Sequence, residues 1–316
     1  MDSRPLVSIV TPSYNQAAYL ETAMRSVLEQ DYPNIEYLVA DGGSTDGSAE
    51  IIQKYAGRLA WWASEKDQGQ ADGANKGFRR ARGEIVGWLN SDDVYNPGAV
   101  AGAVAAFQAN PQAGLVFSDV DSLDADGKRI NVMRFGPRKL EDLMAFKIIS
   151  QPGVFMRRSL LEQVGYLDLN YHLLLDHHLW LRMALHAPLV YVPGARWSAA
   201  RFHAAAKNVA QAGAFGSEAY HLAEWLGSAP EYQELMNQNR KKVWAGAHRL
   251  NAFYLLDGGQ PGAALKAYWK AFWQHPATAL PDWYRILYAL LSPLGLGGIR
   301  RAYLRWRAAR MQREGD

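Results

Sequence analysis

The chain has 316 residues, 49% of them hydrophobic, and a formal net charge of +3. That is enough to bury one full α/β core and carry about a hundred further residues of helix, which excludes a disordered chain. It contains no cysteine, which excludes disulfides, thiolate nucleophiles and cysteine-based zinc sites, so any metal must sit on oxygen or imidazole ligands. The opening Met1-Asp2-Ser3-Arg4-Pro5 is polar and the apolar run from Leu6 to Val10 is short, so no secretory signal is expected. From Leu6 to about Ser118 short β-branched runs alternate with amphipathic segments: Leu6–Val10, Tyr19–Gln30, Ile35–Ala40, Glu50–Tyr55, Ile85–Leu89, Pro97–Asn110 and Leu115–Ser118. This is βαβ organisation with a mainly parallel sheet flanked by helices. From Asp119 to about His203 a hairpin signal at Asp126-Gly127, short helices and a strand-like Leu189–Val192 complete the same domain. Beyond about Lys207 the pattern is helical, with a helical hairpin around Asp257-Gly258-Gly259-Gln260-Pro261-Gly262. No run approaches the roughly twenty apolar residues of a spanning helix, so no membrane crossing is expected.

Polar punctuation falls just after the strands, at the edge where open α/β sheets bind ligands. Asp41 to Asp46 is the first such cluster, with Asp41 the better ligand candidate; Ser44, Asp46 and Ser48 are equally suited to capping helices. Asn90-Ser91-Asp92-Asp93 is the second, closing the apolar strand Ile85–Leu89. Adjacent carboxylates there repel unless something positive compensates. A hard divalent cation, Mg²⁺ or Mn²⁺, sharing a carboxylate and phosphate oxygens is the simplest compensation; a solvated turn is the alternative.

The ordered set resembles the family 2 glycosyltransferases of the GT-A fold over about residues 5 to 207. It comprises Val10-Thr11-Pro12-Ser13-Tyr14-Asn15, Ser26-Val27-Leu28-Glu29-Gln30, Asp41-Gly42-Gly43-Ser44-Thr45-Asp46-Gly47, Glu65-Lys66-Asp67-Gln68-Gly69-Gln70-Ala71-Asp72 with Asn75-Lys76-Gly77, Ala81-Arg82-Gly83-Glu84 and Trp88-Leu89-Asn90-Ser91-Asp92-Asp93. Its strongest likeness is to the bacterial branch that builds O-antigens and other cell-surface polysaccharides. The resemblance implies a Rossmann-like GT-A catalytic domain over residues 1–206, with a nucleotide-sugar half at 1–118 and an acceptor half at 119–206. It also implies an inverting transfer from a nucleotide sugar, UDP-linked, with Thr11, Pro12, Tyr14, Asn15 and Asp41 around the nucleotide. Asp72, Lys76, Asn90, Ser91 and Asp92 join the donor site and Asp93 takes the metal. The chain departs from many relatives at Asn90, where they carry Asp, and at Ala74, where they carry Arg.

Inverting transfer needs one carboxylate to take the acceptor proton. Asp176, in Leu175-Asp176-His177-His178-Leu179-Trp180-Leu181-Arg182, matches the family's acidic residue at a helix start, and is otherwise a helix cap. His177, His178, Arg182 and Gln151 are expected on the acceptor side, with helix packing or a salt bridge as the plainer reading of the first three. His203, in Arg201-Phe202-His203, resembles the family histidine that completes the metal shell, and is equally a structural histidine.

The helical region 207–316 ends in a segment from Trp283 that interleaves aromatic residues with seven arginines and holds no acidic residue before Glu314. Leu296, Ile299, Tyr303 and Trp306 share one helical face, which suits an interfacial helix on anionic lipid; packing on the catalytic domain or on a second subunit suits it equally. The expected location is cytoplasmic, at the inner face of the cell membrane, with a glycan or polyprenyl-diphosphate-linked acceptor. The small net charge gives no argument for nucleic acid. A nucleotidylyltransferase would want a glycine-rich basic loop after the first strand, which Thr11-Pro12-Ser13-Tyr14-Asn15 lacks. An inactive nucleotide-sugar-binding protein is disfavoured by Asp92, Asp93 and Asp176.

Overall fold

The computed structural model describes residues 4–203 and 212–292. Two compact units divide the chain: Met1–Arg138 with Ile149–Phe202, and Lys139–Ile148 with His203–Asp316.

The first unit runs β1 (Val7–Ser13), α1 (Ala17–Leu28), β2 (Ile35–Asp41), α2 (Ser48–Lys54), β3 (Trp61–Ser64), α3 (Gln70–Phe78), β4 (Ile85–Trp88), β5 (Val94–Tyr95), α4 (Ala99–Ala109), β6 (Leu115–Leu123) and β7 (Arg129–Met133). After α5 (Leu140–Met144), which belongs to the other unit, it continues with β8 (Val154–Arg157), α6 (Arg158–Val164), α7 (Leu175–Ala184) and β9 (Leu189–Arg201). Nine strands form one sheet in the order β3-β2-β1-β4-β8-β6-β9-β5, with β7 paired to β6. The expected parallel ladder holds across β3-β2-β1-β4; beyond it the sheet is mixed, because β8 runs antiparallel between β4 and β6.

Side chains alternate across the sheet. Val7 and Ile9 of β1, with Tyr37 and Val39 of β2, share a core with Leu20, Met24 and Val27 of α1 and with the alanine-rich face of α4. On the opposite face Val10 meets α3 at Gly77, where an added Cβ would stand 2.3 Å from Val10 Cγ1. The missing side chain is what lets α3 lie this close to the sheet. Phe78 then packs edge-on against Trp88 of β4, with ring centroids 5.9 Å apart. Behind β2, buried Glu36 accepts hydrogen bonds from Ser8 Oγ, the Arg82 and Gly83 N–H groups and Arg82 Nε, which pins the turn after α3.

The second unit adds α8 (Phe215–Ser228), α9 (Gln233–Asp257), α10 (Pro261–Gln274), α11 (Pro276–Ala279) and α12 (Trp283–Leu291). The helical hairpin expected around Asp257 to Gly262 is the turn between α9 and α10. α5 joins this unit because Gly246 of α9 leaves room only for the Ala145 carbonyl, which an added Cβ would meet at 2.2 Å. Two ion pairs, each with one buried partner, hold the bundle: Arg249 with Asp282 at 2.8 Å and Arg285 with Asp257 at 2.7 Å. The helix expected over Leu296 to Trp306 lies outside the described residues. Among the described residues no helix is long and apolar enough to cross a membrane.

Candidate active site

Parallel register sets the floor of the site. Ser13, Asp41 and Ser64 pair in one row at the carboxyl ends of β1, β2 and β3, and the chain leaving β4 enters Asn90 to Asp93 at the same edge. Asp41 is buried and organises its own loop: Oδ2 accepts from the Gly43 N–H (3.2 Å), the Ser44 N–H (2.9 Å) and Ser64 Oγ (2.6 Å), while Oδ1 accepts from Ser44 Oγ. Asn15, at φ 51°, faces this loop, accepting from the Thr45 N–H at 2.9 Å and donating its own N–H to Ser44 Oγ at 2.7 Å. Asp46 and Ser48 serve two helix starts: at α1 Asp46 Oδ2 accepts the Ala17 N–H at 2.9 Å and Ser48 Oγ the Gln16 N–H at 3.2 Å, and at α2 Asp46 Oδ1 accepts the Ser48 N–H at 3.1 Å.

The remaining donor-side residues divide. Tyr14 is 62% exposed at the strand end, and Pro12 borders Gly73 of α3. Thr11 points the other way, fully buried, with its hydroxyl taking the Tyr37 O–H at 3.0 Å, so it braces β1 instead of lining the edge. Asp72 accepts the Gln68 N–H at 3.1 Å and Lys76 pairs with Glu65 at 3.0 Å, both on α3 and the loop before it. Asp67, in that loop, sits where a Cβ on Gly42 or Gly73 would touch its carboxylate, at 2.8 and 3.0 Å. Those two glycines therefore make room for an acid at the same edge.

A chain of amides fixes the second acidic cluster. Gln151 Nε2 donates to the Trp88 carbonyl. A carbonyl only accepts, so Gln151 Oε1 is turned toward Asn90 and takes Nδ2 at 2.8 Å, and Asn90 Oδ1 in turn accepts Gln70 Nε2 at 2.7 Å. Gln151, expected on the acceptor side, thus helps to hold Asn90 in place. Asn90 Nδ2 also approaches Asp93 Oδ2 at 3.4 Å. Arg201, ending β9, closes the far side: its N–H donates to Asp93 Oδ1 at 3.0 Å and its Nε to the Asp92 carbonyl at 3.1 Å, with the guanidinium over the Tyr19 ring.

Burial, and then the neighbouring Asp92 carboxylate, push the Asp93 carboxyl well above the ordinary carboxylate range, against the opposing pull of the Arg201 N–H and Asn90. A buried acid beside a like charge fits a cation, which would favour the ionised form. Among the described residues no group of three or more His, Cys, Asp or Glu is placed to hold a metal. A cation on this pair would therefore draw most of its shell from phosphate and water oxygens, the ordinary arrangement for Mg²⁺ at nucleotides.

Asp176, His177, His178 and Arg182 sit on α7. Asp176 is half-buried at the second helical position, not the cap, and accepts the His177 N–H at 2.7 Å. His177 and His178 are buried, the ring of the latter tilted against that of Tyr171 with centroids 4.3 Å apart. The Arg182 guanidinium donates to the carbonyls of Val164 (2.7 Å), Gly165 (2.9 Å) and Tyr166 (2.7 Å) and so holds the turn after α6. Asn75 of α3 completes that anchorage by exchanging two hydrogen bonds with the Leu167 backbone, at 2.8 and 2.9 Å. His203 is the first residue of the second unit's main segment. Gln70, Asp67, Asn75 and Arg201 all lie in the motif segments, yet spacing alone did not single them out, because their partners come from distant strands and loops.

A mixed α/β sheet with acids gathered at the ends of its parallel strands is the class these features define. The family model described as "Glycosyl transferase family 2" matches residues 8–165, and the chain belongs to that family. The O-antigen biosynthesis protein RfbC of Myxococcus xanthus is 34% identical over 191 residues, covering 58% of this chain and 15% of that protein's length. The putative teichuronic acid biosynthesis glycosyltransferase TuaG of Bacillus subtilis is 31% identical over 186 residues, covering 57% of this chain and 72% of its own. Two solved structures share the fold. One is S. aureus TarS 1-349 in complex with UDP-GlcNAc, with TM-score 0.60, 17% identity and coverage of 92% of each chain. The other is the mannosyltransferase PcManGT of Pyrobaculum calidifontis in complex with GDP-Man and Mn2+, with TM-score 0.58, 23% identity and coverage of 100% of this chain and 89% of that one.

Proposed function

We propose that the chain is an inverting glycosyltransferase that moves a sugar from a UDP-linked donor to a hydroxyl of a glycan or polyprenyl-diphosphate-linked acceptor in cell-surface polysaccharide synthesis, at the inner face of the membrane. The observation that carries this reading is the Asp92–Asp93 pair at the end of β4, held by Asn90 on one side and Arg201 on the other, with Asp93 buried against its own charge. The names of RfbC and TuaG support the polysaccharide setting, and the UDP-GlcNAc of TarS and the GDP-Man and Mn2+ of PcManGT support a nucleotide sugar with a metal.

In this reading Asp93 and Asp92 hold Mn²⁺ or Mg²⁺, which when bound neutralises charge on the departing diphosphate. Pro12, Tyr14, Asn15 and Asp41 border the nucleotide, and Asp41 presents its carboxylate pre-oriented by Ser44 and Ser64. Asp176 takes the proton of the acceptor hydroxyl while that oxygen bonds to the anomeric carbon and the carbon–oxygen bond to the diphosphate breaks on the opposite face. Inversion follows from that single displacement.

Thermal-shift screening of nucleotide sugars with Mn²⁺ tests the donor half, since a bound donor stabilises the fold by mass action. Asp93→Ala should abolish the metal-dependent shift. Asp176→Asn should keep the shift and lower transfer by about a hundred-fold or more; full transfer by that variant removes Asp176 as the base. Release of pyrophosphate from UTP and a sugar phosphate, without sugar transfer, would replace the whole reading by a nucleotidylyltransferase.

A further inference from the structure

Exposed apolar side chains are concentrated in one stretch of the chain. Among the described residues ten large hydrophobic side chains are exposed, and seven of them fall between Trp269 and Leu290 in the helical unit. α10 buries Ala264, Ala267, Tyr268 and Ala271, at the spacing of one helical face, and turns Trp269, Phe272 and Trp273 outward. α12 does the same one helix on: Arg285 and Ala289 face inward while Trp283, Leu287 and Leu290 form a stripe at intervals of four and three residues. The three tryptophans are 60%, 70% and 55% exposed, and Trp269 stacks with Phe272 and meets Trp273 edge-on, so the aromatic surface is continuous along α10. A patch of this kind on a helical surface marks an interaction site.

Charge selects the occupant. Between Gly258 and Arg313 the sole acidic residue is Asp282, and it is buried in its ion pair with Arg249. The same stretch carries Lys266 and Lys270, both exposed on α10, and seven arginines, six of which lie outside the described residues while Arg285 is paired with Asp257. A second copy meeting this face about a two-fold axis would set like charge against like. An anionic bilayer supplies the opposite charge, and its headgroup zone is where tryptophan, with an apolar body and a polar N–H, is most at home.

We infer that α10 and α12 form a membrane-seating surface that places Trp269, Trp273 and Trp283 in the headgroup zone of an anionic lipid bilayer. The sequence confined lipid attachment to the arginine-rich stretch after Trp283; the structure adds α10, which that pattern did not reach. The surface concerns where the protein sits, and stands or falls apart from the donor chemistry proposed above.

The test uses the full chain and co-sedimentation with phosphatidylcholine vesicles, with and without about 30% phosphatidylglycerol. Binding should be at least about ten-fold stronger to the anionic vesicles and should weaken in about 0.5 M salt. The triple variant Trp269→Ser, Trp273→Ser, Trp283→Ser keeps every charge and should lose at least about ten-fold of that binding, with its melting temperature and donor-induced thermal shift retained. Undiminished vesicle binding by the variant overturns the inference, as does a wild-type dimer that the variant converts to monomer, which would assign the face to a second copy. Should the triple variant fail to fold, brominated lipids decide on the wild-type chain: quenching of tryptophan fluorescence by anionic brominated vesicles supports insertion, and unquenched emission refutes it.

Discussion

Asn90 shows how a departure from a familiar pattern is compensated by its neighbours. Many relatives carry an acid at this position, but here the residue must donate to Gln151 Oε1, whose orientation is dictated by the Trp88 carbonyl. Asn90→Asp would set a carboxylate against that oxygen and against Asp93, so the ligand-free fold should lose about 1–3 kcal/mol. Thermal melts with and without Mn²⁺ check this, and added metal should restore part of the loss. Glu36 offers a second residue-scale case, this one with a pH signature. Burial raises its pKa, but the hydrogen bonds from Ser8 and Arg82 and the Arg82 charge outweigh that, so the net shift is downward. A carboxyl whose folded pKa is depressed contributes stability above its unfolded value and loses it as pH falls through the folded value. Glu36→Gln should therefore cost about 1–3 kcal/mol near neutrality, and urea melts should show the gap to wild type closing in acid, below the ordinary range of a glutamate.

At the scale of elements, what matters is how α7 is held. Asn75 bonds both the N–H and the carbonyl of Leu167 and Arg182 gathers the three carbonyls before it, so the start of the loop leading to Asp176 is tied both to α3 and to α7. Asn75→Ala removes both hydrogen bonds at a buried position and should cost about 2–4 kcal/mol. If the anchorage positions the proposed base, kcat should fall well beyond any change in donor affinity; equal losses in both would mean a general loosening of the donor half. Much of this architecture was legible beforehand. The parallel strands and their acidic ends follow from short β-branched runs with polar punctuation, and the hairpin at Asp126-Gly127 is the turn between β6 and β7. The antiparallel half was harder to read. The sequence marked only Leu189–Val192 as strand-like, yet β9 continues to Arg201 through Gly194 at φ 76° and a shift of register against β6. That continuation delivers Arg201 to Asp92 and Asp93. α5 likewise joins the helical unit through contacts a hundred residues away along the chain, for which local pattern carries no signal.

Over the whole molecule, stability is organised differently in the two units. The sheet unit rests on alternating apolar faces and tolerates an internal charge conflict at Asp93, which a bound cation would relieve. The helical unit has smaller apolar clusters, centred on Ala252, Ala267 and Tyr268 and on Leu256, Ala264 and Ala289, and relies on ion pairs between helices. Arg285 is almost wholly buried, donating to Asp257 at 2.7 Å and to the Phe253 carbonyl at 3.0 Å, with its guanidinium 3.8 Å from the Phe253 ring centroid. Breaking a buried pair from one side is costly because the remaining charge stays desolvated. Asp257 is itself partly exposed, which moderates the penalty, so Asp257→Ala should destabilise by about 2–3 kcal/mol. Hydrogen exchange locates that loss: faster exchange should appear in α9 and α12, which the pair joins, while β1, β2 and β4 keep their protection. The donor-induced thermal shift should survive in the same variant, because the residues proposed to bind the donor all lie on the sheet unit. Loss of protection spread evenly over both units would instead mean that the chain unfolds as one cooperative body, with the Arg285–Asp257 pair contributing to the sheet's stability as much as to the bundle's.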